Sequence, residues 1–187
     1  MTQLQTEQGM VKVPAGTWTV DADHSSVAFE VKHMMISTVR GHFSEFDGVL
    51  EAAEDPEQSH THGWVRSASV DTGNSDRDAH LRGPHFFDAE RFPEMRFDST
   101  RIRHVEGGTY RVTGDLTIRG VTREVEVDAT VQGVEVDPWG NQRAGIEVRG
   151  EIDRTDFGLT WQTRLSSGGM LVGEQVKILL DISAVAR

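Results

Sequence analysis

Thr17-Trp-Thr-Val-Asp21-Ala-Asp-His24-Ser25-Ser-Val27-Ala-Phe29-Glu-Val31-Lys-His33 decides the fold of this chain. It reads as a strand, a tight turn at Asp21–His24 and a second strand, with Val27, Phe29 and Val31 on alternate positions. A period of two is what a strand with one dry face requires. Further on, the run from Asp78 to Thr100 reads as the end of a short helix, an aromatic loop and another alternating strand.

Strand signals recur at short intervals, separated by Gly, Asp, Asn and Pro. Strands are predicted near 17–21, 25–33, 39–52, 62–71, 94–104, 109–116, 122–136, 143–154 and 172–185. Gly41 and Gly48 suggest a bend within the third. Alternation is clear in Tyr110-Val112-Gly114-Leu116, in Val125-Val127-Ala129-Val131 and in Ile146-Val148-Gly150-Ile152. The last strand sets Val176, Ile178, Leu180 and Ile182 against Gln175, Lys177 and Asp181, a polar face that Leu179 breaks. Glu106-Gly-Gly and Asp137-Pro-Trp-Gly-Asn read as hairpin links. One helix is predicted around 75–82, opened by Asn74-Ser75 with Asp78 at capping-box spacing from Ser75, and closed by Gly83-Pro84. The chain therefore reads as all-β and antiparallel, with a flexible N-terminal tail over 1–15 and one domain over 16–187. Periodicity leaves a sandwich and a barrel of about eight strands both open.

Nineteen Lys and Arg against thirty Asp and Glu give a net charge of −11, which repels nucleic acid and anionic surfaces. The absence of cysteine excludes disulfides and thiolate chemistry. The first fourteen residues carry no basic start or apolar core of the signal-peptide kind, and no run approaches the ~20 apolar residues of a membrane span. The expectation from these features is a soluble, cytoplasmic protein.

Phe29, Phe43, Phe46, Phe86, Phe87, Phe92, Phe97, Trp64 and Trp161 suit either a packed core or the dry wall of a lipid tunnel. Met34, Met35, Met95 and Met170 suit either one too, as gap fillers or as an adaptable wall. His33 continues the Val27–Phe29–Val31 face, whereas His24 is expected to serve turn geometry. His60 and His62 share a strand face but have no third clustered ligand, so no metal site is assigned. Asp76-Arg-Asp78-Ala-His80, with His85 and Asp88, is the best enzyme candidate, although capping and a solvated helix face explain the same residues. No nucleophile elbow, phosphate loop or dinucleotide fingerprint is present. Arg119 and Arg82 are candidates for a phosphate headgroup.

Asp21-x-x-His24-Ser25, Phe29-x-Val31-x-His33, Gly41-x-Phe43-x-x-Phe46-x-Gly48, Asp78-x-His80-Leu81, Phe86-Phe87-Asp88 and Pro93-x-x-x-Phe97-x-Ser99 stand in the order seen in the YceI-like family. Gly114-Asp-Leu116-Thr-Ile118-Arg119-Gly120-Val121-Thr122 and Phe157-Gly158…Val172-Gly173-Glu174-Gln-Val176 complete a resemblance covering about residues 16–185. It implies a lipocalin-like barrel with a hydrophobic tunnel for a polyisoprenoid lipid of the polyprenyl phosphate or isoprenoid quinone type. It also suggests a homodimer. On this reading the ligand-binding residues are Phe29, Val31, His33, Phe43, Phe46, Trp64, Phe86, Phe87, Met95, Phe97, Arg119 and Trp161. No catalytic group, cofactor or metal is assigned. The rival readings are an enzyme using the Asp76–His85 cluster on a bound lipid, and a solid-core interaction module with Phe86 and Phe87 on a partner surface.

Overall fold

The alternating runs become strands of a closed antiparallel barrel. A computed structural model describes residues 6, 7 and 9–187. In chain order the strands are β1 (Thr6–Glu7), β2 (Met10–Val11), β3 (Gly16–Val20), β4 (Ser26–His33), β5 (Ser37–Phe43), β6 (Phe46–Ala52), β7 (His60–Arg66) and β8 (Val70–Asp71). After the helix α1 (Ser75–Arg82) come β9 (Glu94–Glu106), β10 (Thr109–Ile118), β11 (Val121–Val136), β12 (Gln142–Asp153) and β13 (Val172–Ala186). The ring runs β3–β6–β7–β9–β10–β11–β12–β13 and closes from β13 back to β3. Eight strands thus surround the lumen, with β4, β5 and β8 continuing β3, β6 and β7 beyond a break in each. Closure of the ring removes the continuous exposed ladder that an open sheet would leave, and β5 keeps an unpaired edge only over residues 37–41, before its bridge to β8 at His42 and Phe43.

The Asp21–Ser25 turn is the corner that allows this. β13 pairs with β4 up to Asp181↔Ser26 and then with β3 from Ala184↔Val20. Ser183 sits between the two partners. Its N–H donates to Ser25 Oγ at 2.9 Å and its carbonyl accepts from Asp21 N at 2.8 Å, so no ladder group is orphaned there. His24 takes part twice, its N–H donating to Asp21 O at 3.2 Å and its ring Nδ1 lying 2.9 Å from Asp21 Oδ2, so the side chain meets a carboxylate and not backbone. The break in the next strand pair falls at Ser44 and Glu45, not at the glycines Gly41 and Gly48, which remain inside regular strand.

One end of the barrel is sealed. Trp18, 1% exposed, packs with Val13, Ile102, Tyr110, Val112, Val131, Val134, Ala144 and Ala184. Its indole donates to Pro14 O at 2.9 Å, and Tyr110 Oη donates to Val11 O at 2.8 Å. The flexible tail read over 1–15 does not hold for Val11 and Val13, which are part of the plug; residues 1–5 and 8 lie outside the described residues. Burial of the Tyr110 hydroxyl raises its pKa above the ordinary phenol value.

At the other end lies α1, over the limits expected. Its cap differs from the sequence reading. Asn74 is the N-cap and accepts from Arg77 N, while the buried Asp78 carboxylate turns back to accept from Thr72 N and Thr72 Oγ1 at 2.9 and 2.7 Å. Asp78 therefore fastens the helix to the preceding strand end and does not complete a capping box. Gly83 closes the helix in an extended conformation, as a residue before proline prefers.

Arg143 ties the sealed end across strands. It donates to Asp21 Oδ2 at 2.6 Å and to Asp137 Oδ2 at 2.9 Å, joining the corner turn to the β11–β12 hairpin. The Arg143 bond pulls the Asp21 pKa below the usual carboxylate value, and bonds led by the Asn141 side chain do the same for Asp137. A depressed carboxyl pKa contributes stability above the unfolded value of about 4, lost as pH falls through the folded value. The melting temperature should hold near neutral pH and drop below pH ~4. In Arg143→Met it should be lower at pH 7 and fall less steeply with acid, so that the gap to the wild type narrows as pH falls below ~4. Parallel acid limbs for the two proteins would remove this account.

Candidate functional site

The inward pleat decides what the barrel holds. Val27, Phe29 and Val31 on β4, Val125 and Val127 on β11, Ile146 and Val148 on β12, and Val176, Ile178 and Leu180 on β13 all border one internal cavity of about 760 Å³. Most are only half-buried although they point inward, because they face open space. The filled core that an interaction module would need is absent from this interior.

Glycines hollow it. Gly41, Gly48, Gly63, Gly114 and Gly150 occupy inward positions on β5, β6, β7, β10 and β12. The Phe29 ring lies across Gly41, its cross-strand partner, so that a methyl group there would strike Phe29 Cζ. Phe97 lies across Gly114 in the same way, with its Cζ 2.5 Å from where a Cβ would stand. Val127 covers Gly150 likewise. Large side chains are thereby folded flat against the wall. Phe43 extends the first of these contacts, its ring centroid 5.6 Å from Phe29 and 5.8 Å from Phe87.

Eleven of the twelve residues read from sequence border this cavity. Phe29, Phe43, Phe46, Phe86, Phe87, Met95 and Phe97 form wall, with Val31 and His33 further up β4. Trp161 closes over the helix side, its ring centroid 4.8 Å from His80 and 5.5 Å from Phe86. Trp64 borders the space from the outer pleat. It pairs with Asp47 and Arg96 and carries the Arg66 guanidinium 5.3 Å over its ring. Its neighbours Gly48 and Gly63 leave the wall there only backbone thick.

Arg119 is the correction. It sits in the β10–β11 turn with φ +49°, donates to Gly158 O, and does not border the cavity. Arg82 is likewise engaged in structure, donating to Ala68 O and Val70 O beside α1. Of the four methionines weighed for the wall, Met95 faces the cavity, whereas Met34, Met35 and Met170 are exposed.

The Asp76–His85 cluster splits up. Asp76, Arg77 and His80 border the rim, Asp78 is committed to Thr72, and Asp88 pairs with Arg91 at 3.2 Å. His80 Nε2 and His85 Nδ1 lie 3.0 Å apart in an edge-on pair of imidazoles. His60 stands on the outer pleat, 2.6 Å from Asp98.

Sequence reasoning missed Arg154. It is 4% exposed and borders the cavity, yet its donors are spent on backbone: Nε to Gly173 O at 2.8 Å, one terminal nitrogen to Leu159 O and Trp161 O at 2.5 and 3.0 Å, the other to Val172 O at 3.3 Å. It clamps both ends of the 159–172 segment that carries Leu159, Trp161 and Leu171 to the rim. Desolvation lowers its pKa from the ordinary guanidinium value. An Arg at the end of an alternating strand gives no sequence signal of such a clamp, even three residues before the Phe157-Gly158 pair.

The fold and cavity define a small closed barrel with a sealed floor, an apolar lumen and a polar rim. Residues 18–184 match the YceI-like domain, and the chain belongs to that family. A UPF0312 protein of Serratia proteamaculans is 39% identical over 163 residues, 87% of this chain and 81% of that protein. Among solved structures, Burkholderia cenocepacia BcnA superposes with a TM-score of 0.77 at 25% identity, covering 88% of this chain and 98% of BcnA. A domain of Saccharophagus degradans, described as polyisoprenoid binding and implicated in plant cell wall breakdown, shares the fold with a TM-score of 0.66 at 15% identity, over 91% and 98% of the two chains.

Two substitutions test the wall and the rim. Gly41→Ala meets side chains rather than backbone, so it should swing the Phe29 ring into the lumen and reduce uptake of an apolar probe while melting stays within a few degrees of wild type. Unchanged uptake would show that the glycine does not set the free space. Arg154→Met should destabilise the fold to urea by about 2–4 kcal/mol, since it removes the buried bonds to Gly173 O and Leu159 O and the half-buried bond to Trp161 O, while Val172 O keeps Gln162 Nε2. It should also speed hydrogen exchange across 159–173. Full protection there would refute the clamp.

Proposed function

We propose that this protein binds a long-chain polyisoprenoid lipid in the barrel lumen and carries or sequesters it without making or breaking a bond. The observation that carries the reading is the apolar lumen itself, running from the Trp18 plug to the Trp161 rim. Its volume of about 760 Å³ lies within the ~300–1,000 Å³ typical of ligand sites. A prenyl chain needs a dry, shape-adapted wall more than polar contacts. Each 100 Å² of chain surface buried contributes roughly 2.5 kcal/mol before entropy losses. Polar side chains gather at the rim, where Lys32, His33, Asp76, Arg77 and His80 stand, so a headgroup such as a phosphate or a quinone ring would sit there. The name of the Saccharophagus domain agrees with this ligand class.

The test is titration of a long-chain polyprenol, a polyprenyl phosphate and an isoprenoid quinone against wild type, Phe29→Trp and Phe97→Trp. Both rings already lie flat on glycine, so the larger indole can extend only into the lumen. Uptake should fall by about tenfold or more, as for an overpacked site costing ~1–3 kcal/mol, with the fold retained. No uptake by wild type, or equal uptake by all three, would end the lipid reading. Recovery of chemically altered lipid after incubation would replace the carrier by an enzyme.

A further inference from the structure

Four of the large apolar side chains exposed at the surface lie together beside the rim. Met34, Met35 and Ile36 form the β4–β5 hairpin tip, 38%, 63% and 80% exposed, and Met170 on the neighbouring segment is 38% exposed. The two segments are bonded together, Met34 N donating to Leu171 O at 2.8 Å, with His33 paired to Val172. His33, Leu171 and Val172 all border the cavity, so this apolar tip is continuous with its mouth.

The backbone of the tip is unusual for its sequence. Met34 and Met35 have φ +53° and +61° in a turn closed by Ile36 N to His33 O at 3.2 Å. Positive φ at both central residues is the requirement of a type I′ turn, for which Asn-Gly is the favoured pair. Methionine gains nothing locally from this conformation. Such strain is kept where the surrounding structure or a function requires it.

Charge is segregated in the same place. The chain holds thirty Asp and Glu, yet residues 31–44 and 157–173 contain none. They carry Lys32, Arg40 and Arg164, of which Arg40 is paired with Glu30 at 2.8 Å. The carboxylates that border the cavity, Asp47 and Asp76, belong to β6 and α1.

We propose that the Met34–Ile36 tip, with Met170, inserts into a phospholipid bilayer surface and brings the cavity mouth against it for lipid exchange. Apolar side chains at the headgroup boundary supply the attraction, and two segments that bring no carboxylate of their own, with the flanking Glu30 paired to Arg40, let Lys32 and Arg164 approach lipid phosphates. The overall charge of −11 limits the long-range pull, so binding is reversible. The proposal takes its purpose from the lipid-carrier reading, but its contact can be measured without a bound lipid.

The decisive variant is Met34→Asn with Met35→Gly, which installs the turn-favoured pair. It should melt at or above the wild-type temperature, so a loss of binding is not a loss of folding. Wild type should co-float with vesicles of phosphatidylcholine containing a minor fraction of phosphatidylglycerol. The variant should co-float at least about fivefold less and take a fluorescent polyprenol from those vesicles more slowly. Equilibrium uptake of the same polyprenol dispersed in detergent should be equal for both. Absent or equal flotation of the two proteins overturns the proposal. So does a shift from dimer to monomer in the variant by sedimentation velocity, which would assign the tip to a second copy of this chain. Failure of the detergent-dispersed uptake alone would count against the carrier reading and leave the flotation result to stand on its own.

Discussion

An eight-stranded barrel encloses a space that its own inward side chains are able to fill. Whether this one is solid or hollow therefore depends on what stands at each inward position. Gly41, Gly48, Gly63, Gly114 and Gly150 each omit a side chain there, and Phe29, Phe97 and Val127 lie down into three of the gaps. An aromatic ring stacked on a glycine keeps its dispersion contacts with the wall while occupying little of the lumen. The cavity is thus bought with glycine, at the cost of strand propensity and unfolded-chain entropy. Long pairings repay this, above all the eleven-residue ladder between β12 and β13, whose two strands hold the ring closed.

The ends divide the remaining work. At the floor, Trp18, Tyr110 and the N-terminal residues Val11 and Val13 fill the bore, and Arg143 links two acidic turns outside it. At the rim, the polypeptide is held by side-chain bonds to backbone rather than by apolar packing alone. Asp78 holds Thr72, Arg82 holds the carbonyls of Ala68 and Val70, and Arg154 holds both ends of the 159–172 segment. Such bonds fix a backbone path without placing bulk in the lumen. A rim can in this way be ordered and still leave the bore open.

Much of this was legible in the sequence because alternation and burial are the same fact in a half-dry strand. Val27, Phe29, Val31 and the β11–β13 valines, isoleucines and leucine fall inward as their spacing requires, and the helix occupies Ser75–Arg82. Hollowness was not legible, because inward glycine in a strand reads equally as a bend, as Gly41 and Gly48 do. Trp64 shows the limit of residue type as a guide: it is aromatic and borders the space, yet its parity with His62 puts it on the outer pleat. Arg119 and Arg82 illustrate the same limit for charge, since a guanidinium suited to phosphate is suited as well to the carbonyls that each engages here. Met34 and Met35 suit a wall by residue type. Nothing in their spacing reveals that they occupy a left-handed turn beyond the end of the strand.

A lumen built in this way selects its contents by shape and dryness. Apolar burial is non-directional, so a long branched hydrocarbon can slide and repack along valines and phenylalanines without losing a specific bond. Discrimination between headgroups must come from the rim, where the titratable side chains lie. There the geometry is looser, and solvent weakens each charge–charge contact. On the proposed reading, affinity would follow chain length and headgroup preference would be modest. A carrier benefits from that combination: the chain is sheltered from water in transit, while the polar end stays near the mouth, where an acceptor surface can engage it first.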